Sequence, residues 1–307
     1  MRAVAFSDHG AAPAVTDLPV PEPGPGEVLV RVRAASVNGF DLGVLGGYLK
    51  GVYEHDFPVV LGKDFAGVVA AVGAGVSTVD VGAEVYGVVM RPTLGQGGFA
   101  EYLVVGEGYG LTRIPPGLDS VRAAALGLAG TAARDAVDAL EVGPGDTVLV
   151  SGATGGVGAY AVQLAVARGA DVIATGRPGP EAAFVAALGA AWAVDHTDLV
   201  TQVRAIAPDG VPAALHLAGD GAAVAGLVVQ GGRFASTLNF TPESADIKAI
   251  AVMADPSAIT LDGLAADVVA GRLRVPVATT YPLAEAPRAI ADFTGGTLGK
   301  LVVRVSP

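Results

Sequence analysis

The sequence predicts an α/β protein in two parts: a doubly wound parallel sheet flanked by helices, and a second, mainly β domain. Three observations carry this expectation. Strand and helix patterns alternate from residue 147 onward. Short apolar runs punctuated by Gly and Pro fill the first third. The 307 residues suffice for two domains at about 150 residues each.

In chain order, residues 2–6 and 28–34 read as strands, the second alternating Val and Arg after the turn-rich Pro21-Glu22-Pro23-Gly24-Pro25-Gly26. A Gly-broken apolar run over 59–72 and further runs over 84–90 and 99–105 suit a compact, barrel-like β domain. After Ile114-Pro115-Pro116-Gly117 the texture changes, and the Ala- and Leu-rich stretch 120–140 predicts one or two helices. Strands over 148–151, 172–175, 191–194, 213–217 and 232–237, with helices over 156–168 and 181–188, then build the parallel sheet. A helix over 259–270 and strands over 275–279 and 301–305 return to the first domain. The expected division is 1–118 with 257–307 for the β domain, and 119–256 for the doubly wound domain.

Composition removes several classes of function. Lys and Arg number 19 against 30 Asp and Glu, and the net charge of −11 disfavours binding to nucleic acid, including RNA, or to anionic membranes. With no cysteine, disulfides, thiolate-held zinc, iron–sulfur clusters and thiol nucleophiles are excluded. The longest uncharged stretch, 147–167, carries four glycines with Thr147, Ser151, Thr154 and Gln163, which reads as a buried strand, turn and helix and not as a membrane span. The opening residues lack the apolar core of a signal peptide, so a cytoplasmic location is the default expectation.

The strongest local signal is Ser151-Gly152-Ala153-Thr154-Gly155-Gly156-Val157-Gly158, which follows one predicted strand and opens a helix. In that context glycines make the tight turn, let backbone N–H groups approach a pyrophosphate, and let helix and strand pack closely. The turn therefore predicts a dinucleotide site in a Rossmann-type domain. At the end of the next strand stands Thr175-Gly176-Arg177, with no carboxylate for the ribose hydroxyls of NAD. Arg177 can instead pair with the 2′-phosphate of NADPH, the cofactor expected here.

Other signatures fail. None of the seven tyrosines has Lys four positions on, Gly295-Gly296-Thr297-Leu298-Gly299-Lys300 lacks the spacing of a phosphate loop, and no Gly-x-Ser-x-Gly elbow occurs. His196 and His216, beside predicted strands, are expected to be hydrogen-bonded residues without a metal. The apolar segment Ile247-Lys248-Ala249-Ile250-Ala251-Val252-Met253 reads as an unprotected sheet edge, and a two-fold homodimer through residues 246–253 is expected.

Taken together, the chain resembles the medium-chain dehydrogenase/reductase superfamily, in its zinc-independent quinone oxidoreductase-like branch. The resemblance rests on Pro23-Gly24-Pro25-Gly26-Glu27-Val28-Leu29-Val30, on Ser36-Val37-Asn38-Gly39-Phe40-Asp41, and on the segment from Phe57 to Val69 containing Leu61-Gly62-Lys63-Asp64-Phe65-Ala66-Gly67. Gly97-Gly98-Phe99-Ala100-Glu101-Tyr102, the Gly-rich turn and Gly299-Lys300-Leu301-Val302-Val303 complete it. It implies a GroES-like catalytic domain beside the Rossmann domain. Asn38 and Lys63 stand where alcohol dehydrogenase members place a Cys and a His on zinc, which implies a reductase working without metal.

The resemblance further implies hydride transfer from NADPH to a quinone or to the C=C bond of an α,β-unsaturated carbonyl. Asn38 and Asp41 would line the pocket and Tyr48 would serve as a donor, against the simpler readings of a turn, a helix N-cap and a rim aromatic. Thr131, Leu217-Ala218-Gly219 and Leu238 would flank the nicotinamide, with Lys300 at the cofactor or on the surface. A biosynthetic enoyl reductase acting on a polyketide-like intermediate, and a non-catalytic NADPH-binding protein, are the alternatives.

Overall fold

The structure, a computed structural model, describes residues 1–244 and 246–306. Six strands form the nucleotide-type sheet in the order Trp192–Val194, Asp171–Thr175, Thr147–Ser151, Val211–His216, Val228–Ser236, Lys248–Ala251. All five pairings are parallel. The order reverses between Thr147–Ser151 and Val211–His216, so the carboxyl ends of these two strands open the crevice where such sheets take ligands.

The other domain wraps a seven-stranded sheet around a separate core. Leu111–Arg113, Glu84–Val88, Asp64–Val72, Glu27–Ser36, Lys300–Arg304 and Val277–Pro282 lie side by side, and Tyr102–Gly106 also pairs with Glu27–Ser36. A three-stranded sheet of Ala14–Asp17, Arg2–Phe6 and Val59–Val60 closes one side. Inward residues such as Phe6, Val30, Phe65, Phe99 and Leu103 are fully buried, as the alternating pattern requires. The apolar run over 59–72 is split between the two sheets at Leu61-Gly62-Lys63. Gly62 takes a φ of 102°, and a Cβ there would lie 2.6 Å from the Phe99 backbone nitrogen.

Helix Ser120–Ala139 joins the domains as one continuous element. Its Ala-rich faces share a buried cluster with Ala34, Ala66 and Tyr86 on one side and with Ala159, Tyr160 and Val162 on the other. Small side chains permit this double approach. The joint also has polar ties: Tyr86 Oη donates to the Leu261 carbonyl at 2.6 Å, and Gln163 bonds both backbone groups of Arg274.

Several elements depart from the sequence reading. Helix Ala286–Thr294 was hidden by Pro287, which reads as a breaker but sits in the first turn, where its missing N–H costs nothing. Strand Leu111–Arg113 is too short to carry a period. Helix Leu199–Ile206 does space Leu199, Val203 and Ile206 at helical intervals, a signal the expectation left unused. The expected edge is present: Lys248–Ala251 pairs only with Val228–Ser236 among the described residues. No helix among the described residues is long and apolar enough to cross a membrane.

Candidate functional site

The Gly-rich turn sits at the switch point, between strand Thr147–Ser151 and helix Gly156–Ala167, with Gly155 as the helix N-cap. Gly152 takes a φ of 73°, and a Cβ on Gly158 would stand 2.2 Å from the Gly152 carbonyl oxygen, so both positions demand glycine. Thr175 Oγ1 accepts hydrogen bonds from Gly152 N at 2.8 Å and Ala153 N at 3.3 Å, tying the turn to the next strand. Ala153 is buried beneath the turn, while Thr154, Gly155, Gly156 and Val157 are partly open along its crest. Bare glycine backbone at a helix N-terminus fits a dinucleotide pyrophosphate.

The crevice rim is held by His216. Its Nε2 lies 3.2 Å from the Gly219 carbonyl, which can only accept, and its Nδ1 lies 3.1 Å from Ser236 Oγ. Nε2 therefore carries a proton toward the Gly219 carbonyl, and Nδ1 shares a hydrogen bond with Ser236 Oγ. Ser236 Oγ in turn accepts from Leu238 N at 3.1 Å. Leu217 is half-buried, while Ala218, Gly219 and Leu238 form an open rim over the crevice.

Gly176 is buried at the end of its strand and Arg177 projects outward, its side chain 60% exposed. Its guanidinium is already paired: Nε and Nη2 donate to Glu181 Oε1 at 2.9 and 2.5 Å, and the Arg177 N–H donates to Oε2 at 2.8 Å. A 2′-phosphate would have to share or displace this carboxylate.

On the side of the seven-stranded sheet the crevice is backed by a buried polar cluster. The split at Leu61-Gly62-Lys63 aims two backbone N–H groups at Asp41 Oδ1, at 3.0 Å from Gly62 and 3.1 Å from Lys63. Asp41 Oδ2 accepts from Asn38 N at 2.8 Å. Asp41 is thus the third residue of helix Gly39–Leu45, with Asn38 as the N-cap, and not the cap itself. Burial pushes its carboxyl up to about 6, with Asp64 adding to the rise and the backbone donors and Lys300 opposing it.

Asn38 is fully committed. Its Nδ2 donates to Ser36 O at 3.2 Å and to Asp64 Oδ2 at 2.8 Å, while Oδ1 accepts from Lys300 Nζ at 2.6 Å. Asp64 is fully buried and takes further bonds from Ser36 Oγ at 2.5 Å and from Leu128 N at 2.7 Å. Gly127 permits the helix to come this close, since a Cβ there would lie 2.6 Å from Asp64 Oδ1.

Lys300, 2% exposed, donates also to Val37 O at 2.9 Å and lies 3.8 Å from Asp64. Burial lowers its proton affinity, and Asp64 and Asp41 counter this. Its stem packs under Gly156, where a Cβ would meet Lys300 Cδ at 2.5 Å, and Gly299 N donates to Thr154 O at 2.8 Å. The carboxylate cluster and the Gly-rich turn are therefore in contact through Lys300.

Two expected residues stand apart from this assembly. Tyr48 is 83% exposed in the turn after helix Gly39–Leu45. Thr131 is enclosed, its hydroxyl donating to Gly127 O within its own helix at 2.8 Å. Sequence reasoning missed Ser36 and Asp64, although Asp64 lay inside the quoted Gly62-Lys63-Asp64 segment, and it gave Lys63 no role of its own. The structure places Lys63 only 9% exposed, with its Nζ 4.4 Å from the centre of the Phe40 ring. Burial lowers its pKa to about 8 against the pull of Asp41 and Asp64. No group of three or more His, Cys, Asp or Glu side chains among the described residues could hold a metal ion.

Residues 24–116 match the alcohol dehydrogenase GroES-like domain family, and residues 188–303 match the zinc-binding dehydrogenase family. A chloroplastic quinone oxidoreductase of Triphysaria versicolor is 35% identical over 184 residues, covering 57% of this chain and 55% of that protein. A mycocerosic acid synthase-like polyketide synthase of Mycobacterium tuberculosis is 33% identical over 308 residues, covering 92% of this chain but 14% of that protein. The chain thus spans about half the length of the first relative and a small part of the second. Among solved structures, the quinone oxidoreductase of Coxiella burnetii superposes with a TM-score of 0.91 at 28% identity, covering 100% of this chain and 99% of that one.

Proposed function

Because the chain belongs to the medium-chain dehydrogenase/reductase superfamily, in its quinone oxidoreductase-like branch, we propose that it is an NADPH-dependent reductase of quinones or of the C=C bond of α,β-unsaturated carbonyls. The observation that carries this reading is the contact between the glycine turn and the buried Asn38–Asp64–Lys300 cluster, which sets a candidate dinucleotide site against a polar wall. The turn at Gly152–Gly158 would hold the pyrophosphate, and the rim at Leu217–Gly219 and Leu238 would border the nicotinamide. Bound there, the reduced dinucleotide supplies hydride.

The chain's own residues orient, exclude water and stabilise charge. Asn38 has every side-chain polar atom engaged, so its part is to hold Lys300 against Asp64 and not to touch the acceptor. Asp41 fixes the backbone of Gly62 and Lys63. Arg177 would read the 2′-phosphate once Glu181 yields part of its pairing. The polyketide synthase likeness over 92% of this chain supports a second reading, an enoyl reductase of a polyketide-like intermediate.

The test is loss of reduced-nicotinamide absorbance with NADPH and NADH in parallel, against a quinone, an enal, a cyclic enone and a simple aldehyde. Turnover of quinone or enone but not aldehyde is expected. Arg177→Ala should weaken NADPH about 10-fold or more, as loss of a charged hydrogen bond implies, and leave NADH nearly unchanged. Equal losses for both cofactors would refute the role of Arg177.

A further inference from the structure

Lys63 is the one charged group of the cluster whose ionised head has no hydrogen-bond or ion-pair partner among the described residues. Lys300 makes two hydrogen bonds, and Asp41 and Asp64 are each held by several donors. Lys63 has only the face of Phe40. An ammonium taken from water without an acceptor is costly, and a stem this flexible would normally swing its head to solvent or to a carboxylate.

The space beside it is small and specific. A cavity of about 20 Å³ is bordered by Phe40, Asp41, Lys63, Val89, Thr93 and Leu94. That is room for one water-sized atom among mostly apolar walls. Lys63 keeps 9% of its surface exposed, so it is not wholly sealed off. From this cavity to the dinucleotide turn, Asp41, Asn38, Lys300 and Gly156 follow one another in direct contact.

We propose that Lys63 binds the oxygen of the acceptor carbonyl and donates the proton that completes its reduction. The proposal rests on the reductase reading above and deepens it by naming the donor. In a C=C reduction, hydride from the dinucleotide adds to the β-carbon, which oxidises the dinucleotide to its pyridinium form. The C=C π pair shifts to join the α-carbon to the carbonyl carbon, and the carbonyl π pair moves onto oxygen. The Lys63 N–H bond then breaks, its proton passes to that oxygen, and the amine regains a proton from water. The enol relaxes to the saturated carbonyl. Asp41 and Asp64 are the charged neighbours that favour the protonated form of Lys63, against its burial. Arg91, also at the cavity, is held by Glu27 and the Val104 carbonyl.

Two substitutions separate this from a simple counter-charge role. Lys63→Arg keeps a cation beside Asp41 and Asp64 but cannot release a proton at neutral pH, and Lys63→Met removes charge and donor together. With cyclohexenone as acceptor, Lys63→Arg should lower kcat by about 100-fold or more while KM changes little. Wild-type kcat should fall on an alkaline limb that Lys63→Arg abolishes. A readout independent of turnover is binding of 4-nitrophenol, whose ionised form is coloured. Wild-type protein should draw it into the phenolate form, and Lys63→Met should weaken binding about 10-fold. A reductase indifferent to both substitutions overturns the proposal alone. Wild-type protein that binds nitrophenolate through Lys63 yet reduces no acceptor overturns the reductase reading and, with it, the proton-donor role.

Discussion

Asp64 is the point at which a single substitution should cost most. Its carboxylate takes hydrogen bonds from Ser36, Asn38 and Leu128, and it faces Lys300 at 3.8 Å with neither side chain reached by appreciable solvent. Asp41, Asp64, Lys63 and Lys300 together are electrically balanced when all are ionised. Asp64→Leu leaves one uncompensated ammonium and three donors without their acceptor, and breaking a buried pair in this way costs about 3–5 kcal/mol. Lys300→Met should cost a similar amount by leaving Asn38 Oδ1 and Asp64 short of their donor and counter-charge. The double variant removes both charges, so its loss should fall short of the two single losses combined by about 1–3 kcal/mol. Urea unfolding followed by far-ultraviolet circular dichroism would measure this, with the slope of each transition compared across the variants. Strictly additive losses would refute the claim that the two groups stabilise one another.

Three further outcomes follow from the geometry. Asp41 has a folded-state pKa raised to about 6 from 3.8, so its contribution to stability is fully present below the unfolded value and is lost as pH rises toward 6. Wild-type stability relative to Asp41→Asn should therefore decline by roughly 3 kcal/mol across that window, and parallel pH–stability curves would refute it. Gly158→Ala should displace the turn, because the new Cβ would sit 2.2 Å from the Gly152 carbonyl oxygen, and reduce NADPH affinity by about 10-fold or more in a fluorescence titration. If the edge strand Lys248–Ala251 makes a two-fold dimer, wild-type protein should sediment at twice the chain mass, and lysines at the exposed Ala249 and Ala251 should yield a monomer; a wild-type monomer at micromolar concentration would remove that expectation.

The fold was legible because its signals are local and repeated. A strand followed by Gly152-Ala153-Thr154-Gly155-Gly156-Val157-Gly158 and a helix marks the switch point within one stretch of chain, and the structure puts that turn at the crevice. The polar cluster was legible only in pieces, since Ser36, Asn38, Asp64, Leu128 and Lys300 meet from four separate segments. Asn38 could be singled out, but the pairing that uses up all its polar atoms depends on Lys300, 262 positions away. Lys63 looked ordinary beside Asp64 in the sequence, and only packing shows that its head turns toward Phe40. Tyr48 was placed by analogy of position, and the turn at Gly46 and Gly47 carries its ring outward.

Strand Lys300–Arg304 lies inside the seven-stranded sheet, between Glu27–Ser36 and Val277–Pro282. The six-stranded sheet has all its strands once residue 251 has left the ribosome, whereas the sheet begun by the early residues lacks one interior strand and one edge strand until residue 304 has followed. During synthesis the middle of the chain can therefore reach its final pairing before the beginning can, reversing the usual N-terminal-first order. Until then Glu27–Ser36 offers an open edge over Ala34–Ser36, the residues that later pair with Val302–Arg304. A nascent chain stalled short of residue 300 would expose that edge to other strands.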